Sequence, residues 1–185
     1  MADTDASDIQ ASLKGDEAAF ARLVERHQDR IAQIMWRFTR RKQVLEELVQ
    51  DVFVEAYFSL AKFRGEAPLS HWLARIATRT GYRFWKRQAR KRDLQEQRDI
   101  DSISGPVASD ASSAAETLDV LLGQLAPAER LVLTLQYLDQ CSVKDIAART
   151  GWTMAMVKMR SYRARKKLRR IAEKQKLLEK LEWTP

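Results

Sequence analysis

The sequence predicts an all-α protein of two small helical domains, residues 1–98 and 116–185, joined by a flexible linker at 99–115, with a helix-turn-helix in the second domain. Three observations predict it. Apolar side chains fall at helical spacing in both halves, as in Phe20, Leu23, Val24, Ile31, Ile34, Met35 and Phe38, and again in Leu118, Leu121, Leu122 and Leu125, so each set lines one side of a helix. The stretch from Asp99 to Ala115 is rich in Ser, Asp, Gly and Pro and poor in large side chains, and it can bury too little surface to fold. Near the C-terminus two helical patterns meet at Thr150-Gly151, a tight glycine-containing turn of the helix-turn-helix kind.

Composition narrows the partners. A formal charge of +8 over 185 residues favours a polyanion such as nucleic acid. A generically basic surface would give the same total, so the clustering of the cations decides. The single cysteine, Cys141, excludes an intrachain disulfide and a multi-cysteine zinc site, and no cofactor is expected. Met1 to Asp8 is acidic and lacks the cationic and apolar parts of a signal peptide. No apolar run approaches the roughly 20 residues that span a bilayer, so the cytoplasm is the expected compartment.

Residues 1–15 read as a frayed leader ending in a short helix, Ile9 to Leu13, punctuated by Lys14-Gly15-Asp16. A core-facing helix begins at Glu17 and carries His27 on its stripe, as a packed or partly exposed histidine rather than a ligand or base. It ends near Arg40-Arg41-Lys42, where cations complement the helix dipole. The next helix sets Leu45, Leu48, Val49, Val52, Phe53, Ala56, Tyr57 and Leu60 on one side and Glu47, Asp51 and Glu55 on the other. Carboxylates at steps of four repel one another mildly. A solvated face, a metal site and a docking surface for a basic partner all fit such a stripe. The metal reading wants Glu-x-x-His pairs on facing helices, and neither His27 nor His71 stands in that relation to a glutamate.

Gly65 and Pro68 break the periodicity. The helix that follows is apolar at its start (Leu69, Trp72, Leu73, Ile76, Ala77) and cationic further on (Arg79, Arg83, Lys86, Arg87, Arg90, Lys91, Arg92), with Tyr82, Phe84 and Trp85 interleaved. Cations hold phosphates, and exposed rings stack on bases that have left the duplex. Trp72 and Phe84 are expected to pack, and Tyr82 and Trp85 to make contact.

In the second half a break at Ala126-Pro127 suits a helix's first turn, and Leu131, Val132, Leu135 and Leu138 follow. Ser142 can cap a short helix ending at Thr150-Gly151. Thr153 can cap another, with Val157, Ser161, Ala164, Leu168 and Ile171 inside. The outside of this second helix carries Lys158, Arg160, Arg163, Arg165, Lys166, Lys167, Arg169 and Arg170 with no acid among them. A solvated helix normally mixes signs, so duplex DNA is the expected partner. Residues at the N-terminus of such a helix meet base edges, which points to Thr153, Met154, Ala155, Met156, Lys158 and Met159. The methionines suit thymine methyls, while core packing suits Met156 equally. From Glu173 to Pro185 an amphipathic pattern continues through Leu177, Leu178, Leu181 and Trp183.

Taken together, Glu47-Leu48-Val49-Gln50-Asp51-Val52-Phe53, Phe63-Arg64-Gly65, Trp72-Leu73-Ala74-Arg75-Ile76-Ala77, Leu125-Ala126-Pro127-Ala128-Glu129-Arg130, Asp145-Ile146-Ala147, Val157-Lys158-x-Arg160 and Arg163-Ala164-Arg165 resemble, in order and spacing, the bacterial RNA polymerase sigma factors of the extracytoplasmic-function (ECF) type in the sigma-70 family. The resemblance covers nearly the whole chain. It implies that Glu47, Gln50, Asp51, Phe53 and Glu55 bind core RNA polymerase. It implies that Phe63, Arg64, Trp72, Arg75, Arg79, Tyr82, Arg83, Trp85, Lys86 and Arg87 bind the minus-ten element with a base flipped from the stack. It implies that Thr153, Met154, Ala155, Met156, Lys158, Met159, Arg160, Arg163 and Arg165 read the minus-35 duplex. The implied partners are core polymerase, promoter DNA and an anti-sigma factor, soluble or membrane-bound, and no catalytic residue is implied.

The chain departs from the family pattern at Arg79, where asparagine is frequent, at Ala155-Met156, where Gly-Thr is common, and at Cys141, where glycine is common. Two rivals stand beside this reading. A dimeric helix-turn-helix regulator acting alone leaves the carboxylate helix unexplained. A metal-dependent nuclease using Glu47, Asp51 and Glu55 predicts metal-dependent cleavage that alanine at Asp51 abolishes.

Overall fold

The computed structural model describes residues 2–98 and 114–174. Most of the stretch expected as a linker, and the C-terminal segment from 175, lie outside the described residues. The described elements are helices and turns, and they fall into two compact units. One comprises the chain through Phe84 together with Ala148–Thr150, and the other Trp85–Ala147 with the chain from Gly151 onward.

In the first unit, α1 (Ala2–Leu13) is a docked helix and not a frayed leader. Ile9 is buried. Asp8 accepts hydrogen bonds from Arg22 Nη2 and Arg26 Nη2, each at 2.6 Å, and Asp5 accepts from Arg26 Nε at 3.0 Å. His27 Nε2 lies 3.0 Å from the second Asp5 oxygen, so the histidine serves as a half-buried partner of an acid. The Arg22 guanidinium, helped by Arg26, holds the Asp8 carboxyl below its ordinary value.

The following helix, α2 (Glu17–Met35), starts where Asp16 accepts from the Ala19 amide, and it buries Ala19, Leu23, Ile31 and Met35. Its regular part stops before the apolar stripe does, and a hydrogen-bonded turn carries Phe38 into the core. Next, α3 (Lys42–Ser59) buries Leu48, Val52, Phe53 and Ala56 and closes in a 3-10 turn, Leu60–Lys62. The long α4 (Leu69–Arg98) buries Leu69, Leu73, Ile76, Ala77 and Thr80. At Gly81 the Phe38 ring comes so close that an added Cβ would stand 2.5 Å from it. Only glycine lets α4 meet the end of α2 at that distance.

The second unit holds the end of α4 from Trp85, α5 (Ala114–Gly123), α6 (Pro127–Leu133), the greater part of α7 (Val143–Thr150) and α8 (Met154–Lys174). A π-type turn, Thr134–Leu138, extends α6. Leu122, Leu125, Leu133 and Ala164 form a core against which Leu118, Leu138, Leu168 and Ile171 pack. The boundaries follow the capping chemistry: Ser142 accepts from the Asp145 amide, and Gly151 ends α7 at φ +79°. Thr153 Oγ1 then accepts from the Met156 amide at 3.2 Å. Ile146 on α7 and Val157 on α8 are fully buried, so each helix of the motif has an inner side.

Candidate nucleic-acid and protein interfaces

On α3 the periodicity that buries Val52 and Ala56 turns Glu47, Gln50 and Asp51 outward. Glu46 has Lys42 at 4.0 Å, whereas Glu47 and Asp51 have no cation beside them among the described residues. Glu55 differs, being half-buried and ion-paired with Arg83. Phe53, expected at the interface, is buried and supports the helix from within. The apolar groups on the acidic side are instead Val54, 49% exposed, and Phe58, 80% exposed. Sequence spacing does not reveal Phe58, although it follows Val54 by four residues and so shares its side of the helix.

Where α3 ends, the turn at 63–68 and the first turns of α4 enclose a cleft of about 580 Å³. Phe63 and Trp72 meet in it with ring centroids 5.5 Å apart. Arg75 and Arg79 also line it, exposed and without an ion pair among the described residues. Arg64 is exposed and only loosely paired with Glu66 at 3.8 Å. Tyr82 is half-buried, and Arg83 is committed to Glu55 and to Thr80 Oγ1, the latter at 3.0 Å.

Two expectations about the rings change. Trp85, expected as a contact, is buried in the second unit, with the Arg130 guanidinium 4.1 Å from its ring centroid. Phe84 is only half-buried. Beyond them Lys86 and Arg87 are exposed.

On α8 the buried row Val157, Ser161 and Ala164 leaves Ala155, Lys158, Met159, Arg163 and Lys166 outside. Tyr162, 59% exposed, joins them, a ring absent from the expected contacts. Met154 and Met156 are also exposed, so Met156 does not fill the core. The cations divide. Lys158 and Arg163 have no intramolecular partner among the described residues. Arg160 lies 3.8 Å from the Trp152 ring centroid, with Nη1 buried and without a hydrogen bond, so its head braces the turn before α8. Arg165 Nη1 donates to Tyr137 Oη at 3.3 Å and to Ser161 Oγ at 3.2 Å, while Ser161 Oγ donates to Gln136 at 2.6 Å.

Two family profiles match this chain, Sigma-70 region 2 over residues 23–91 and Sigma-70 region 4 over residues 115–168. The chain is 30% identical over 177 residues to the ECF RNA polymerase sigma-E factor of Escherichia coli K12, covering 88% of this chain and 91% of that one. The chain belongs to the ECF sigma factors of the sigma-70 family. The Haemophilus influenzae sigma-E factor is 28% identical over 176 residues, covering 88% of this chain and 92% of that one. Among solved structures, CnrH in complex with the cytosolic domain of CnrY aligns with a TM-score of 0.56 at 26% identity, covering 92% of this chain and 97% of that one. The sigma factor RpoE of Bartonella quintana, solved with the anti-sigma factor NepR, shares the fold at a TM-score of 0.55 and 23% identity, covering 83% of this chain and 96% of that one. As a sigma factor the protein directs transcription initiation at promoters and is not of an enzyme family. Among the described residues no helix is long and apolar enough to cross a membrane.

Proposed function

We propose that the three exposed regions divide the work of a promoter-directing sigma factor. The outer side of α3, with Glu47, Gln50, Asp51, Val54 and Phe58, docks on a basic surface of core RNA polymerase. Phe58 supplies the apolar anchor and the carboxylates its orientation. The cleft at Phe63, Trp72, Arg75 and Arg79 takes an unstacked base of the minus-ten element. Its rings offer stacking and its arginines hold the flanking phosphates. On α8, Lys158, Met159, Tyr162 and Arg163 face the minus-35 duplex, with Thr153, Met154, Ala155 and Met156 at the leading end.

The observation that carries the docking reading is the coincidence, on one side of α3, of carboxylates without a cation and a phenyl ring 80% exposed. A face meant only for solvent gains nothing from such a ring. The protein acts in the cytoplasm, has no catalytic residue of its own, and is held by an anti-sigma factor when idle. The solved complex of CnrH with the cytosolic domain of CnrY supports that last role.

Co-elution of the purified chain with core RNA polymerase tests this reading, with Asp51→Arg as the control. The expected result is a complex with the parent chain and at least about a hundredfold weaker binding for the variant, because a reversed charge at a docking face is repelled as well as unpaired. Equal binding by the variant would remove α3 from the interface. No binding by the folded parent chain, with an intact affinity for duplex DNA, would favour a helix-turn-helix regulator acting alone.

A further inference from the structure

The leading turns of α8 expose a reactive group that duplex reading does not require. Three of the six residues from Met154 to Met159 are methionines, 54%, 41% and 53% exposed at 154, 156 and 159. Met35, by contrast, is fully buried at 0%. Thioethers normally fill interiors or adaptable binding surfaces, so such a cluster at the surface marks an apolar contact face. Met159 stands in the middle of that face. It shares the helix side of Ala155, Tyr162, Arg163 and Lys166, opposite the buried row of Val157, Ser161 and Ala164. Met156 borders it, and Met154, in the first turn of the helix, is exposed on another side.

We propose that Met159, with Met154 and Met156, is an oxidation site through which hypohalous acids weaken promoter binding. This rests on the reading of α8 as the duplex-reading helix. With hypochlorous acid the sulfur gives up an electron pair to form an S–O bond and the O–Cl bond breaks. Chlorine leaves as chloride, the hydroxyl proton passes to solvent, and the thioether becomes a sulfoxide. The product is polar and chiral where the parent was apolar. Against a thymine methyl it loses the apolar contact, and its partly negative oxygen faces a groove walled by phosphates. Methionine sulfoxide reductases reverse the change, so the site works as a switch. Cys141, the chain's one thiol, is buried at 7% exposure and therefore reacts later.

The test uses the full chain carrying Cys141→Ala, a pool of random-sequence duplex DNA from which the untreated chain retains its preferred sequences, and stoichiometric hypochlorous acid. Peptide mass spectrometry follows the added oxygen at each methionine. Expected is about tenfold weaker retention after oxidation, the scale of one lost base contact. Methionine sulfoxide reductases should restore it. The triple variant Met154→Leu, Met156→Leu, Met159→Leu should keep its own affinity through the same treatment. Unchanged retention with the three methionines oxidised overturns the proposal alone, as does an equal loss in the leucine variant. An untreated chain that retains no duplex at all overturns the duplex-reading assignment, and the proposal with it.

Discussion

The outer faces of α3 and α8 are built alike and populated oppositely. Each is the solvent side of an amphipathic helix, and each carries charges with no partner among the described residues. On α3 the charges unpaired among the described residues are few, Glu47 and Asp51, and the most exposed apolar group is the Phe58 ring. On α8 unpaired cations such as Lys158 and Arg163 surround Met159 and Tyr162. Binding through α3 is therefore expected to depend on burying a ring. Binding through α8 is expected to follow the release of counterions from a polyanion. Salt separates the two mechanisms.

Among side-chain truncations, the largest effect expected on this contrast is at Phe58. Phe58→Ala should weaken core polymerase binding about thirtyfold, the scale of an interface anchor of about 2 kcal/mol, with little change in its salt dependence. A titration at several salt concentrations checks it. If salt alone governed the loss, α3 would work as α8 does and the contrast would fail.

On α8, Lys158→Ala should weaken duplex binding several-fold and lower the slope of log affinity against log salt by about one. Arg160→Ala should leave that slope as it is and lower the melting stability by about 1 kcal/mol through loss of the Trp152 stack. Reversed roles for the two cations would show that Arg160 leaves the ring to reach DNA.

Gly81→Ala tests whether the faces are held independently. It inserts a Cβ against Phe38 and should destabilise by about 1–3 kcal/mol, as overpacking does, outweighing the roughly 1 kcal/mol that alanine gains in helix propensity. Calorimetry should find that loss, with the duplex affinity of α8 unchanged; a fall in duplex affinity would mean that the faces are coupled.

The smallest effect is at Asp8. Its folded pKa is depressed by Arg22 and Arg26, so its ion pairs stabilise α1 in full above the ordinary value of 3.8. That contribution fades as pH falls through the lowered folded value. Hydrogen exchange of the α1 amides should accelerate only in that acid range. Protection that stays flat into strong acid would show that the ion pairs do not hold α1.

Much of the fold was legible because caps are local. Asp16, Ser142, Gly151 and Thr153 mark helix ends with their own side chains or dihedral angles, and the structure places the ends there. The carboxylates of α3 and the cations of α8 were legible for the same reason. What was not legible depends on distant partners. The docking of α1 rests on bonds reaching 14 to 22 residues along the chain. Trp85 is packed because Arg130 covers it, and Arg160 is engaged because Trp152 stands beneath it. Phe58 and Tyr162 show another limit. Rings bordering a core stripe are left unassigned by spacing alone until the position of the neighbouring helices is known.

The meeting of Phe38 and Gly81 constrains how this chain can change. A side chain cannot be added at 81 while a full ring stands at 38, so the two positions should be inherited as a pair. Phe38→Leu should make Gly81→Ala tolerable, although each substitution alone costs stability. A hybrid that takes α2 and the turn through Phe38 from one sigma factor and α4 from another would need that pair matched before either of its partner surfaces could be compared.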